Sequence, residues 1–161
     1  MSGRAVQHSS PASLPLARLF AMSYRWFLDE VHDRLAGRGW EGVRPAYGFV
    51  LLALRDTALS PTELASRLAV TKQAASKLAE AMVVDGLLER SADSTDGRQR
   101  RLTLSVRGQQ LLVEVERIYA DLEGEWADVI GRAEVEQIRQ RVTAAMLAKS
   151  GGALPGLRPG P

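Results

Sequence analysis

The segment SPTELASRLAVTKQAASKLAEAMVVDGLLER, residues 60–90, determines the architecture of this chain because it contains two helix starts separated by a short turn. Ser60 is a favourable N-cap, a proline follows it at the first helical position, and Glu63 completes a capping box. Thr71 can cap a second helix, and Gly86 is a suitable residue to end it. The pattern predicts two helices joined by a tight turn.

The second of these helices has two chemically different sides. At about 100° per residue, its polar residues fall on one side and its small apolar residues on the other. The polar side carries Lys72, Gln73, Ser76 and Lys77, and the apolar side carries Ala75, Leu78, Ala79 and Met82. Lysine, glutamine and serine can reach phosphate oxygens and base edges in a DNA major groove. With Thr71 at the cap, the polar side is either a DNA contact or an ordinary solvated surface.

The residues after Gly86 predict a β-hairpin that bears arginines. Residues 87–90 have the composition of a strand, residues 93–97 are rich in turn formers, and residues 101–104 alternate polar and apolar side chains. The far side of this hairpin carries Arg98, Arg100 and Arg101. A helix-turn-helix followed by such a hairpin is a winged helix, whose second helix enters a major groove and whose tip enters the adjacent minor groove. The hairpin therefore favours the DNA contact.

Three segments carry a resemblance to a known family: GVRPAYGFVLLALRD, PTELASRLAVTKQAASKLAEAMVVDGLLER and DSTDGRQRRLTLSVRG. Together they resemble the multiple antibiotic resistance regulator (MarR) family, dimeric winged-helix transcription regulators of prokaryotes. The resemblance extends over residues 16–149. In its wing the family has an acid, an arginine and a strand that leads into a helix; Asp96, Arg98, Leu104 and Ser105 hold those positions here. Gly97 stands where many members carry another arginine.

The resemblance implies a mainly α fold with a small β-hairpin. A winged helix-turn-helix over about residues 44–106 is expected between dimerisation helices over about residues 15–37 and 105–149, all within one unit, residues 15–149. It also implies a homodimer that binds double-stranded DNA at an inverted-repeat operator and is released by a small molecule. A winged helix used for protein–protein assembly, without specific DNA binding, remains the alternative.

The terminal segments are expected to lie outside this unit. Residues 1–14 have no apolar signal segment and predict a flexible arm, and the glycine- and proline-rich residues 150–161 predict a disordered tail. The predicted first helix is apolar on more than one side, which fits either a wide core face or contact with another subunit. The two C-terminal helices also carry apolar stripes, which a partner subunit would cover.

Composition narrows the function further. The 161 residues carry a net charge of only +2, but residues 98–107 contain four arginines and no acid, so the positive field is local. The absence of cysteine excludes disulfides, cysteine-based zinc sites and thiol redox sensing. No apolar run is long enough to span a bilayer, so we expect a cytoplasmic protein with no membrane partner.

No catalytic constellation is present, and we expect neither an enzyme nor a cofactor. The chain has no nucleophile elbow, P-loop or metalloprotease motif. Asp29, His32 and Asp33 share a helix face at a spacing that a metal could use, and some members of the resembled family bind zinc. Carboxylates at this spacing are ordinary helix surface, so no metal site is predicted.

The resemblance also implies a ligand site between the dimerisation helices and the winged domain, where family members hold phenolic acids. In this chain the site would draw on Tyr24, Phe27, Trp40 and Tyr47, with Arg44 placed to pair a ligand carboxylate. The alternative is that these aromatic residues are ordinary core packing.

Overall fold

The computed structural model describes residues 14–92 and 100–154, which form six helices and one two-stranded sheet. In chain order the elements are α1 (Leu16–Gly37), α2 (Pro45–Ala53), α3 (Pro61–Leu68), α4 (Lys72–Val84), β1 (Leu88–Ala92), β2 (Arg100–Leu104), α5 (Val106–Ile130) and α6 (Arg132–Lys149). The predicted fold class, mainly α with a small hairpin after a helix-turn-helix, is confirmed. The arm and most of the tail lie outside the described residues.

The helix-turn-helix forms as its capping residues predict. The backbone N–H of Glu63 donates to Ser60 Oγ (3.2 Å), and the N–H of Ser60 donates to Glu63 Oε2 (2.7 Å), so the capping box is complete. Ala69 adopts a left-handed conformation (φ 50°) and turns the chain between α3 and α4. Thr71 then caps α4 by accepting a hydrogen bond from the Ala74 N–H (3.1 Å).

The hairpin is antiparallel, with Leu88 opposite Leu104. Its first strand begins one residue later than expected, because the N–H of Leu87 donates to the Met82 carbonyl (2.8 Å) and closes the end of α4. A single β-bridge lies beside the hairpin, in which Leu59 exchanges both backbone hydrogen bonds with Leu102 (2.8 and 3.1 Å). This bridge ties the wing to the segment before α3.

Two helix ends are set by local backbone contacts. Helix α2 ends at Ala53, and Leu54 closes it by donating to the Val50 carbonyl (3.0 Å). The last helix begins at Arg132 because Gly131, at φ 98°, bends the chain directly after α5.

The core of a single chain lies between the C-terminal half of α1, the helices α2 to α4, the hairpin and α5. Val31 and Leu35 of α1 are buried in it, whereas Leu16 and Phe20 of the same helix are 68% and 48% exposed. No residue of α6 is buried. The terminal helices therefore present apolar surface that one chain does not cover. Within the described ranges, no helix has the length and apolar character needed to cross a membrane.

Candidate DNA-binding surface and apolar cavity

The two predicted sides of α4 are separated by burial in the structure. Ala75, Ala79 and Met82 are buried in the core. On the opposite side, Ser76 is half-buried, and the side chains exposed to solvent are Thr71, Lys72, Gln73 and Lys77. Because the small alanines let α4 pack closely, its polar side faces outward from its first turn, where a recognition helix contacts bases.

The three wing arginines differ in how much of each the structure describes. Arg98 lies outside the described residues. Arg100 begins β2, but only its backbone is described. The guanidinium of Arg101 donates to the Ala58 carbonyl (2.7 Å) and lies 3.7 Å from the carboxylate of Glu63. Arg101 therefore joins the base of the wing to the start of α3, a contact that its place in an arginine-rich segment did not indicate.

A cavity of about 580 Å³ lies between α1, α2 and α5. Its walls are mostly apolar, and the aromatic side chains in them are Tyr24, Phe27, Phe49 and Tyr119. Burial raises the pKa of the Tyr24 and Tyr119 phenols above their ordinary value, so both are neutral at physiological pH. The cavity can accept a flat apolar molecule of drug-like size.

The charged residues in the cavity wall are acidic. Glu116 forms an ion pair with Arg55, and Glu123 forms one with Arg139 (2.8 Å). Both glutamates come from α5, which is distant in sequence from the aromatic residues of α1 and α2, so no local pattern indicated them. Tyr119 was missed for the same reason.

The structure separates the five residues expected at the ligand site. Tyr24 and Phe27 line the cavity, but Trp40 and Tyr47 line a different hollow of about 180 Å³ beside Asp85 and Arg107. The guanidinium carbon of Arg44 lies 5.9 Å from the centre of the Tyr47 ring. The reason is helical geometry: Tyr47 projects from the opposite side of α2 to the residues that face the cavity.

The histidine on the candidate metal-binding face of α1 forms a hydrogen bond within its own helix. His32 Nδ1 donates to the Leu28 carbonyl (2.7 Å) within the same helix. In the part of the chain that the structure describes, no group of three or more histidine or acidic side chains is arranged to hold a metal ion.

Comparison with known proteins agrees with this architecture. Residues 41–99 match the model of the MarR family. No curated protein matches the chain in sequence. The reduced form of MarR from E. coli is similar in structure, with a TM-score of 0.70 and 21% identity over 83% of this chain and 97% of that one.

Two structures of MepR from S. aureus are also similar. MepR itself, a transcription regulator of the multidrug efflux pump MepA, gives a TM-score of 0.66 with 19% identity over 84% of this chain and 98% of that one. A MepR variant bound to an oligodeoxyribonucleotide gives a TM-score of 0.60 with 19% identity over 84% of this chain and 99% of that one. Identities this low establish a shared fold, and the family model adds a match in sequence over the winged helix. Over residues 41–99, which include the winged helix-turn-helix, the chain is thus similar in sequence to the MarR family, and it shares the fold of MarR and MepR.

Proposed function

We propose that this protein is a sequence-specific DNA-binding transcription regulator that acts as a homodimer on an inverted-repeat operator. The observation that carries the proposal is the exposed polar side of α4, which ends at the arginine-bearing hairpin. Such a surface suits a major groove and the minor groove beside it. The DNA-bound MepR variant has the same fold, which supports this reading. A regulator of this kind works where DNA is accessible, and we place it in the cytoplasm.

The helix and the wing have different roles in this proposal. Thr71, Gln73 and Ser76 contact base edges and nearby phosphates, because they lie in the first turns of α4. Lys72 and Lys77 neutralise phosphates on either side of the groove. The wing supplies Arg98 and Arg100 to the minor groove, and Arg101 adds positive charge at the wing base while it holds the Ala58 carbonyl.

The homodimer rests on apolar surface that a single chain leaves exposed. The N-terminal half of α1 exposes Leu16 and Phe20, and α6 exposes Ile138 (47%) and Met146 (41%). Apolar side chains at helical spacing on two terminal helices are expected to meet a second copy across a two-fold axis. Two copies of α4 would then contact half-sites about one helical turn of DNA apart.

We further propose that a small aromatic ligand occupies the cavity between α1, α2 and α5 and releases the DNA. The expected ligand chemistry changes, because Arg44 does not line this cavity and the charged residues that do are glutamates. A ligand carboxylate would meet like charge there, whereas a neutral aromatic or phenolic ring would stack against Phe27 and Phe49. A neutral ring is therefore the preferred ligand class.

The first test is selection of bound duplexes from a random DNA pool, followed by titration of the best duplex and a scrambled one. Gln73→Ala should cost about 1–3 kcal/mol on the selected duplex and much less on the scrambled one, since an amide can pair with an adenine edge. Gln110→Ala, an exposed glutamine on α5, is the matched control and should leave both unchanged. Two results together would favour the alternative, a winged helix used for protein–protein assembly. The selection would enrich no DNA sequence, and retention of the protein on heparin would not depend on salt.

A further inference from the structure

The short helix α2 stands between the cavity and the recognition helix. Its residues Pro45, Gly48, Phe49 and Leu52 line the cavity. At about 100° per residue these four cluster on one side, and Tyr47, Val50 and Leu51 project from the other. Those three side chains are fully buried in the core against which α4 packs. One side of α2 therefore faces a ligand space, and the other faces the DNA-reading unit.

A single hydrogen bond joins the second side of α2 to the end of α4. The hydroxyl of Tyr47 donates to Asp85 Oδ2 over 2.5 Å. Asp85 is the C-cap of α4, and its own N–H donates to the Ala81 carbonyl (2.9 Å). The Tyr47 side chain is completely buried, so the position of its hydroxyl depends on the position of α2. A hydrogen bond to an ionised carboxylate is among the stronger protein hydrogen bonds.

We propose that Tyr47 and Asp85 are positioning residues, whose hydrogen bond sets the angle of the recognition helix and transmits to it any change that α2 undergoes at the cavity. The link deepens the proposed function and rests on it. A nine-residue helix in a close-packed core moves as a unit, so a molecule that pushes on Gly48 and Phe49 displaces Tyr47 as well. The displaced hydroxyl pulls on the last turn of α4 or loses its acceptor.

The contacts around α2 favour transmission of a displacement from the cavity side to α4. Beyond the C-terminal end of α2, Arg55 is paired with Glu116 of α5. Near the N-terminal end, Arg107 stacks on the Trp40 ring at 4.8 Å and packs around the same small hollow. The buried side chain of Tyr47 is hydrogen-bonded to Asp85 at the end of α4, so a displacement of α2 from the cavity side reaches α4 there.

The link can be tested without a known ligand, because Gly48 offers a built-in probe. A Cβ placed on Gly48 meets nothing within 4 Å, so a side chain there extends into the cavity without a backbone clash. Gly48→Leu fills part of the cavity from α2, and Gly48→Ala is its control, since it changes helix propensity with little filling. Tyr47→Phe removes the hydroxyl alone, and Tyr119→Phe removes a phenol hydroxyl from the cavity wall as the matched control.

Amide hydrogen exchange of the full-length protein measures directly how Tyr47 and the cavity side of α2 affect the end of α4. Tyr47→Phe should speed exchange at residues 82–87 about tenfold, because a hydrogen bond to a charged group is lost where α4 ends. Gly48→Leu should speed the same amides in the otherwise unchanged chain and add nothing in the Tyr47→Phe background. Gly48→Ala and Tyr119→Phe should leave these amides unchanged.

DNA titration supplies the second readout. Tyr47→Phe should lower the ratio of affinities for the selected and scrambled duplexes about tenfold, since a misplaced helix loses base contacts before phosphate contacts. Asp85→Asn keeps an acceptor oxygen and should retain most of that ratio, whereas Asp85→Ala should lose it. A purely structural contact would lower the unfolding temperature and leave the ratio unchanged.

Three results would overturn the link: unaltered exchange at residues 82–87 in Tyr47→Phe, a uniform increase over the whole domain, or equal effects of Gly48→Leu in both backgrounds. Failure of the proposed function is a separate outcome. It would appear as a wild-type protein that prefers no duplex, and the exchange experiment would still decide whether Tyr47 couples α2 to α4.

Discussion

Gly108, in the first turn of α5, lies against the backbone where α4 ends. A Cβ at this position would fall 2.0 Å from the carbonyl oxygen of Leu87. That oxygen already accepts the N–H of Ser105 (3.1 Å), and the Ser105 hydroxyl donates to the Gly86 carbonyl (2.6 Å). The close approach of two backbones at this point joins the wing to α5 and requires a residue without a side chain.

We therefore predict that Gly108→Ala lowers the free energy of unfolding by about 1–3 kcal/mol, because the backbone must shift to admit the methyl group. Gly124→Ala, farther along α5, is the control: a Cβ there meets nothing within 4 Å. It should raise stability by about 0.5–1 kcal/mol through helix propensity. Urea unfolding of both variants measures the difference, and equal stability would contradict the close approach.

A second prediction at this scale concerns pH. Burial, followed by the hydrogen bond and the charge of Asp85, raises the pKa of the Tyr47 phenol above its ordinary value of 10.0. The folded state holds this proton more tightly than the unfolded state. Its contribution to stability is therefore complete below about pH 10 and is lost as pH rises through the folded pKa. Tyr47→Phe should lose less stability than the wild type between about pH 9 and pH 11. Urea unfolding at the two pH values measures this difference. If the wild type and Tyr47→Phe lost equal free energies of unfolding, the contribution would be refuted.

Among the elements, the wing combines residues with different tasks. Arg101 is held by Ala58 and Glu63, and Leu102 bridges to Leu59, so the base of the hairpin is fixed to the segment before α3. Arg98 lies outside the described residues; we propose that it enters a minor groove, where a narrow groove concentrates negative potential. The base therefore orients the wing, and the tip is proposed to bind.

We predict that Arg98→Ala weakens binding to selected and scrambled duplexes by similar factors. It should also make the dependence of log affinity on log salt shallower by about one unit, because one phosphate contact is lost. Arg117→Ala, an exposed arginine on the middle of α5, is the control and should leave the slope unchanged. If Arg98→Ala bound both duplexes with the same affinity and the same salt dependence as the wild type, α4 would remain the only DNA contact of the proposal.

At the scale of the whole molecule, α6 packs against α5 of its own chain without burying any of its residues. Its residue Arg139 pairs with Glu123 of α5 (2.8 Å), yet none of its side chains is buried. An 18-residue helix with Ile138 and Met146 exposed at helical spacing gains stability when a second subunit covers it.

We predict that Ile138→Glu weakens the dimer at least about tenfold, because each two-fold interface buries the new charge twice. Gln137→Glu adds the same charge at the neighbouring exposed position and should have little effect. Sedimentation at several concentrations measures the association. Removal of residues 1–36, or of everything after residue 129, should give a monomer or an insoluble chain, and a stable dimer after both deletions would refute the terminal-helix interface.

The local elements follow from the sequence alone because their causes are local. The Ser60 capping box, the Thr71 cap and the end of α4 at Gly86 each depend on residues within one or two helical turns. The burial of Ala75, Ala79 and Met82 follows from the 3.6-residue period in the same way. These features were enough to indicate the winged helix and the resemblance to the MarR family.

Only the tertiary structure decided which side chains share a space. Tyr24 and Phe27 meet Phe49 and Tyr119 because α1, α2 and α5 pack around one cavity, whereas Tyr47 is carried to Asp85 on the far side of α2. Residue types reveal that aromatic rings are available, but the packing of helices distant in sequence determines which rings face each other. The same packing put glutamates where an arginine was expected, and so it changed the class of ligand proposed for the site.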